Sequence, residues 1–344
     1  MHRRSMSGAT PIDIGIILAA TVAIWKGSGW LEAASDELAT YYGLPLVVQG
    51  AVIAAIGSSF PELASVVAAA LQGSLSLGVG AIVGSAIFNI LVIPAVSAIA
   101  KDGEMESSRA LVYKEAQFYM LAVSVLVITF AMAVIYYPVD GETLMGTVTR
   151  PLALIPIAMY GLYVFIQFQD TSDYEADPEA GDGIDIRRQW GYLLAGLLVI
   201  LVAVHYLVHS VGVIGTALGI PEFIMGVTII AGATSLPDSL VSVRSARDDK
   251  AVASLGNVLG SNTFDLLVAI PVGVLIVGEA VIDFEMAVPM FGVLTLATLL
   301  LFTALRTDMV MTTGEAYALL AAYLAFVVWV VLETAGVIVG IIPN

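Results

Sequence analysis

The stretch Gly57-Ser58-Ser59-Phe60-Pro61-Glu62 returns, with small changes, as Ala233-Thr234-Ser235-Leu236-Pro237-Asp238. A second pair follows at the same distance: Gly84-Ser85-Ala86-Ile87-Phe88-Asn89 and Gly260-Ser261-Asn262-Thr263-Phe264-Asp265. Because 238 − 62 and 265 − 89 both give 176, the chain contains an internal repeat. Each stretch places a carboxylate or an amide inside a long apolar run, where ionisable groups are costly and usually functional. Interrupted apolar segments at matching positions in two halves are typical of a transporter's binding site.

The composition is that of a membrane protein. Of the 344 residues, 59% are hydrophobic and 12% are charged, with a mean hydropathy of +0.96. Apolar runs of membrane-spanning length recur along the chain, which predicts an all-α polytopic membrane protein. Cysteine is absent, which excludes disulfides and thiol chemistry, and nothing suggests a nucleic-acid partner. The net charge of −16 favours a halophilic archaeal source, although an acidic linker and acidic loops alone would also account for it.

Ten transmembrane helices are predicted, at about 12–38, 44–72, 75–100, 109–137, 150–169, 189–217, 220–246, 250–278, 284–305 and 313–341. An acidic, solvated linker over 170–188 separates a first five-helix repeat, 1–169, from a second, 189–344. Since five is an odd number of spans, the second copy is expected to be inverted in the membrane.

The distribution of basic residues favours an N-terminus outside the cell and a cytoplasmic linker. In that orientation the basic residues at cytoplasmic loops or helix ends are Lys101, Arg109, Lys114, Arg187, Arg188, Arg244, Arg247, Lys250 and Arg306. Only Arg3, Arg4, Lys26 and Arg150 fall elsewhere. We therefore expect a multi-pass protein of the plasma membrane, in contact with the lipid bilayer and without an obligatory protein partner.

The repeated prolines predict interrupted helices. Pro61 lacks a backbone N–H and clashes with the carbonyl one turn earlier, so the carbonyls near Ser58 are partly freed. Freed carbonyls at membrane depth are tolerated only where they are buried in protein or line a cavity. Pro237 is expected to have the same effect in the second copy. Carboxylates, carbonyls and hydroxyls without a soft donor suit a hard cation such as Ca²⁺ or Na⁺, and argue against zinc or copper.

The second pair of stretches is expected to return to the same depth as the first. Glu62 and Asn89 are 27 residues apart, as are Asp238 and Asp265, so one helix can leave the membrane and the next can re-enter it. A serine lies one turn before each of Asn89 and Asp265, on the same helix face. We expect the four polar groups to form a diamond at the bilayer centre. A lone Asn in a membrane helix more often makes a helix–helix hydrogen bond, but the matched acids and prolines favour function.

Other polar residues carry weaker signals. His205 and His209 have a spacing that can bind a metal, but they lack a third ligand nearby, which favours a structural or solvent-facing role. Four further acids lie near predicted helix ends and are expected to face water: Glu222, Glu279, Glu285 and Glu333.

The repeated stretches resemble the two alpha-repeats of the sodium/calcium exchanger family, within the calcium/cation antiporters, and the resemblance covers essentially the whole chain. It implies an antiporter rather than an enzyme, with Ca²⁺ and Na⁺ as transported ions and no cofactor. By the resemblance, the carboxylates of Glu62 and Asp238 and the carbonyls of Ser58 and Thr234 would coordinate calcium. The implied sodium-site residues are Ala55, Ser59, Ser85, Ala231, Ser235 and Ser261. Asn89 and Asp265 would border the central site.

Several alternatives remain open from the sequence. Asp238 stands where prokaryotic exchangers often have Glu, and with Glu62 and Asp265 it resembles the potassium-dependent branch. Protons are another candidate coupling ion, because carboxylates at membrane depth can carry them. An intramembrane aspartyl protease using Asp238 and Asp265 is disfavoured, since its Gly-Asp motif is missing from the predicted spans. A non-transporting scaffold or sensor is disfavoured because it would not retain buried acids. Alternating access is expected to come from sliding of the first and sixth helices, which look poor in central carboxylates.

Overall fold

The computed structural model describes residues 11–43, 55–101, 104–109, 111–169, 183–247 and 251–337. Its helices are α1 (Pro11–Tyr41), α2 (Ala55–Ser58), α3 (Phe60–Leu71), α4 (Leu75–Leu91), α5 (Ile93–Ala100), α6 (Ala116–Tyr136), α7 (Arg150–Gln169), α8 (Ile186–Leu218), α9 (Glu222–Met225), α10 (Ala231–Arg247), α11 (Ala251–Phe264), α12 (Ile270–Val277), α13 (Phe284–Arg306) and α14 (Thr313–Thr334). Three π-helical turns precede α6, α10 and α12, at Leu111–Glu115, Gly226–Ile230 and Asp265–Ala269.

The described chain is an all-helical polytopic membrane protein. It has nine helical segments that are long and apolar enough to cross a membrane, and α3 is a shorter apolar helix. The start of the predicted span 44–72 lies outside the described residues, as do most of the predicted linker and the end of the last predicted span. The remaining predicted spans each coincide with a described helix or a consecutive set of helices, so the apolar runs located them correctly.

Helix boundaries differ from the predictions where local chemistry intervenes. The predicted helix 75–100 divides at Val92 into α4 and α5, because Pro94 in the first turn of α5 cannot donate a backbone hydrogen bond. The sixth predicted helix begins at Ile186 rather than 189, since the Asp185 side chain caps it by accepting from the Arg188 N–H at 3.2 Å.

Four short strands were not predicted from the sequence. They are β1 (Glu104–Glu106), β2 (Met145–Thr149), β3 (Glu279–Asp283) and β4 (Val310–Thr312). β1 pairs with β4 and β2 pairs with β3, both antiparallel. Each two-stranded sheet therefore joins a strand that follows the third predicted span of one half to a strand that follows the fourth predicted span of the other.

Glycines allow two close helix contacts. α1 and α8 approach so closely that a Cβ on Gly196 would lie 2.7 Å from the Gly27 carbonyl oxygen. α4 packs equally tightly on the segment 222–230, since a Cβ on Gly84 would lie 2.2 Å from the Val227 carbonyl oxygen. Small residues at such positions let membrane helices approach each other backbone to backbone. The α4 contact brings the first half of the chain directly against the segment that precedes the second copy of the repeated stretch, Ala233 to Asp238.

Candidate cation-binding site

The first repeated stretch is interrupted as the sequence predicted. α2 ends at Ser58 and α3 begins at Phe60, with Ser59 between them at φ −84° and ψ 4°. Pro61 lies in the first turn of α3, where a missing N–H leaves no helical hydrogen bond unmade. The carboxylate of Glu62 is therefore held in the first turn of a helix, where the helix dipole favours negative charge.

The second stretch differs from the prediction. α10 runs without a break through Thr234, Pro237 and Asp238, and the irregularity lies earlier, in the π-helical turn Gly226–Ile230. The Thr234 hydroxyl donates to the carbonyl of Ile230 at 3.1 Å, which helps to satisfy the backbone where the π-helical turn meets α10. The expectation that Pro237 interrupts its helix as Pro61 does is thus wrong, and the two copies are not equivalent.

Three buried carboxylates, from both halves of the chain, interact with one another electrostatically. Glu62, Asp238 and Asp265 are only 1%, 2% and 1% exposed. The Ser85 hydroxyl donates to Glu62 Oε1 at 3.3 Å and lies 2.7 Å from Ser235 Oγ, which links the two halves directly. One oxygen of each carboxylate accepts no hydrogen bond from the described residues. These oxygens are therefore available to a ligand.

The buried carboxylates interact with further negative charges. Within the described chain, the charges that act on Asp238 are those of Glu62, Glu32 and Asp265, all of them negative. Buried charges are tolerated only when they are paired, neutralised or bound to a metal. No three His, Asp or Glu side chains of the described residues converge closely enough to hold a metal ion by themselves. A Ca²⁺ ion, which takes six to eight oxygens, would therefore also need carbonyl and hydroxyl ligands.

Asn89 is held by a partner that the sequence analysis did not assign to it. Its Nδ2 donates to Asn262 Oδ1 at 3.0 Å, and Asn262 Nδ2 donates to the Ala86 carbonyl at 3.2 Å. All three residues are fully buried. The three carboxylates of the expected diamond are thus buried and interact electrostatically, and the fourth member, Asn89, makes a hydrogen bond between the two halves. Asn89 Oδ1 has no hydrogen-bond donor among the described residues.

The remaining predicted site residues are buried near these groups. Those at or below 2% exposure are Ser58, Ser59, Thr234, Ser235, Ser85, Ser261 and Ala231. The Ser59 hydroxyl makes no hydrogen bond within the described chain, whereas the Ser261 hydroxyl donates to the Val258 carbonyl at 3.1 Å. For Ala55 only the backbone is described, as the first residue of α2, so its side chain lies outside the described part of the structure.

Glu32 of α1 was missed by the sequence analysis. The carboxylate of Glu32 interacts electrostatically with the carboxylates of Asp238 and Glu62. The expectation that the first helix is poor in central carboxylates is therefore wrong. A usable signal was present, because Ser28, Glu32 and Ser35 recur at helical spacing on one face of α1.

The exposure of the two histidines and of the four acids near helix ends tests the expectations for them. His205 and His209 are both exposed, which agrees with the solvent-facing interpretation. Of the four acids expected to face water, Glu222, Glu279 and Glu285 do so, but Glu333 is only 4% exposed. Glu333 lies in the last turns of α14, where tertiary packing covers it.

Comparison with known proteins gives one consistent family. The family model described as sodium/calcium exchanger protein matches residues 12–169 and 188–332. CaxA of Alkalimonas amylolytica is 30% identical over 85% of this chain and 89% of its own length. The sodium/calcium exchanger MaX1 of Methanosarcina acetivorans is 25% identical over 92% of this chain and 98% of its own.

A solved structure shares the fold. The sodium-calcium exchanger NCX_Mj superimposes with a TM-score of 0.63 and 22% identity, covering 92% of this chain and 98% of that one. At this identity the likeness is one of fold alone. The family model, by contrast, matches well over half of the chain, in both halves. This protein therefore belongs to the sodium/calcium exchanger protein family.

Proposed function

We propose that this protein is a secondary active antiporter that exchanges Na⁺ for Ca²⁺ by alternating access and exports calcium. The observation that carries the proposal is the buried group of Glu62, Asp238 and Asp265, each with an oxygen that accepts no hydrogen bond from the described residues. Oxygen donors of this kind suit hard cations. Two relatives in fold or sequence, MaX1 and NCX_Mj, are named as sodium/calcium exchangers.

Obligatory exchange follows from the cost of the buried charges. Carboxylates must be neutralised before they face a low-dielectric region during a conformational change. One Ca²⁺ or several Na⁺ can neutralise the site, whereas the empty site stays trapped on one side. Two ions that compete for the same oxygens then cross in opposite directions without covalent chemistry.

We assign the protein ligands of the ions from the resemblance to the exchanger family, and the burial of these residues supports the assignment. Calcium would bind the carboxylates of Glu62 and Asp238 and the carbonyl oxygens of Ser58 and Thr234, with Asp265 and Asn89 at the border of the central site. The flanking sodium sites would use Ala55, Ser59, Ser85, Ala231, Ser235 and Ser261. The 2.7 Å contact between the Ser85 and Ser235 hydroxyls supports sites shared between the two halves.

Residues 1–169 and 189–344 are proposed to be inverted repeats joined by the acidic linker 170–188. The support is the constant offset of 176 residues and the two antiparallel sheets. Each sheet joins the strand after the third predicted span of one half to the strand after the fourth predicted span of the other, so the two halves exchange roles between the sheets. α1 and α8, the first helix of each half, pack closely on one another and would slide together past the remaining helices.

The proposed orientation places the N-terminus outside the plasma membrane and the linker in the cytoplasm, following the basic residues. Because the chain contains no cysteine, the variant Ser172→Cys provides a single reporter in the linker. In intact cells a membrane-impermeant thiol reagent should fail to label it until the membrane is permeabilised. Labelling in intact cells would place the linker outside the cell and would contradict the proposed orientation.

Substitution of Glu62 tests the proposed site. Glu62→Gln keeps the side-chain shape but removes a charge and one cation-ligand oxygen, so calcium exchange in proteoliposomes should be lost at every calcium concentration. Glu285→Gln is the matched control, since Glu285 is also an acid in the first turn of a helix but is exposed. Full-rate exchange by Glu62→Gln would refute the assignment.

A further inference from the structure

We propose that Glu32 of α1 is a specificity-determining residue of the cation site, supplying a fourth carboxylate whose charge favours divalent over monovalent cations. The inference rests on the proposed function and deepens it. It concerns a residue outside both repeated stretches and on a different helix.

One face of α1 is polar and lies against the site. Ser28 and Ser35, which share a helix face with Glu32, are 0% and 8% exposed. Ser35 touches the interrupted segment, because a Cβ on Gly57 would lie 3.6 Å from Ser35 Oγ. Glu32, one turn before Ser35, is thereby brought beside the start of α3, where Glu62 lies.

The carboxylate of Glu32 is not satisfied by protein groups. Its Oε1 is shielded from solvent and accepts no hydrogen bond from the described residues. The same is true of Glu62 Oε2 and Asp238 Oδ1, on side chains only 1% and 2% exposed. A buried acceptor without a donor is costly, so three such oxygens from three helices point to a positively charged ligand.

The charged groups that interact with Glu32 in the described part of the chain are acidic. Within the described chain, Glu32 interacts electrostatically with Asp36, one turn along α1, with Glu62 and with Asp238. Since no three acidic side chains of the described residues are close enough to hold an ion alone, we assign Glu32 an action on the bound cation through its charge and not as a direct ligand. The attraction between a carboxylate and an ion doubles when the ion carries two charges.

The expected effect is therefore larger for calcium than for sodium. Neutralising Glu32 should raise the calcium concentration for half-maximal exchange about tenfold and the sodium concentration about threefold. The carboxylate attracts a monovalent ion with half the energy, and half the energy changes the affinity by the square root of the factor found for calcium. The maximal rate at saturating calcium should be retained, since the groups proposed to bind calcium directly remain in place.

The test compares four proteins in proteoliposomes: the unmodified chain, Glu32→Gln, Glu32→Asp and Glu37→Gln. Radiolabelled calcium exchange is measured against calcium and against competing sodium. Glu37 is the matched control because it is an exposed carboxylate on the same helix. Glu32→Asp keeps the charge and shows whether the Gln variant fails through charge or through folding.

The proposal would be supported if Glu32→Gln needed a higher calcium concentration for half-maximal exchange, with a smaller rise in the sodium concentration. Glu32→Asp and Glu37→Gln should then need about the same concentrations as the unmodified chain. Unchanged affinities in Glu32→Gln would overturn it, as would equal factors for calcium and sodium or an equal loss in Glu32→Asp. Absence of calcium exchange by the unmodified chain would instead overturn the proposed function, and this inference with it.

Discussion

Replacing Gly84 by alanine should push the two halves apart and disturb the cation site. A Cβ on Gly84 would lie 2.2 Å from the Val227 carbonyl oxygen and 2.6 Å from its Cα, and these backbone atoms cannot rotate away. Reaching even 3.0 Å from that oxygen requires a displacement of about 0.8 Å. Overpacking of this kind typically costs about 1–3 kcal/mol. Since Ser85 is the next residue, the displacement should also stretch its 2.7 Å contact with Ser235.

The assay is thermal unfolding in detergent together with calcium exchange in proteoliposomes. Gly84→Ala should unfold at a lower temperature and exchange calcium more slowly than the unmodified protein. Gly161→Ala in α7 is the control, because a Cβ there would meet nothing within 4 Å and alanine favours a helix by up to about 1 kcal/mol. If Gly84→Ala matched Gly161→Ala in both measurements, the close packing of α4 on Val227 would be refuted.

Two further predictions concern hydrogen bonds between the halves. Asn262→Ala removes the bonds to Asn89 and to the Ala86 carbonyl and leaves buried groups unpaired, which should cost about 1–3 kcal/mol. If Asn262→Ala unfolded in detergent at the same temperature as the unmodified protein, the expected loss of stability would be contradicted. Ser235→Ala should raise the sodium concentration needed for half-maximal exchange, whereas Ser239→Ala, whose hydroxyl bonds only within α10, should not. Equal sodium dependence of the two variants would remove Ser235 from the proposed sodium sites.

The span architecture could be predicted from sequence because it depends on local quantities. The length of an apolar run decides whether a helix can cross a bilayer, and the matched stretches around Glu62 and Asp238 reveal the repeat without any tertiary information. The same locality explains the correct prediction of the interruption at Ser59, where Pro61 acts on its own helix.

The missed features depend on contacts between distant segments. β1 pairs with β4 across some two hundred residues, which no local pattern indicates. Pro237 lies inside α10 without breaking it, and the irregularity of this segment falls in the preceding π-helical turn Gly226–Ile230, which packs against α4 of the other half. Glu32 joins the site only because α1 packs beside the start of α3. The helical spacing of Ser28, Glu32 and Ser35 shows a polar face in the sequence, but it does not show which segment that face will contact until the packing is known.

The most direct test of the proposed function is radiolabelled calcium uptake into proteoliposomes preloaded with Na⁺, K⁺ or choline at fixed pH. We expect uptake only into vesicles loaded with Na⁺, and we expect this uptake to be lost in Glu62→Gln. If adding K⁺ together with calcium on the outside raised that uptake, exchange would belong to the potassium-dependent type. Uptake independent of sodium but driven by an imposed pH gradient would contradict sodium coupling and make Glu62 and Asp238 proton carriers.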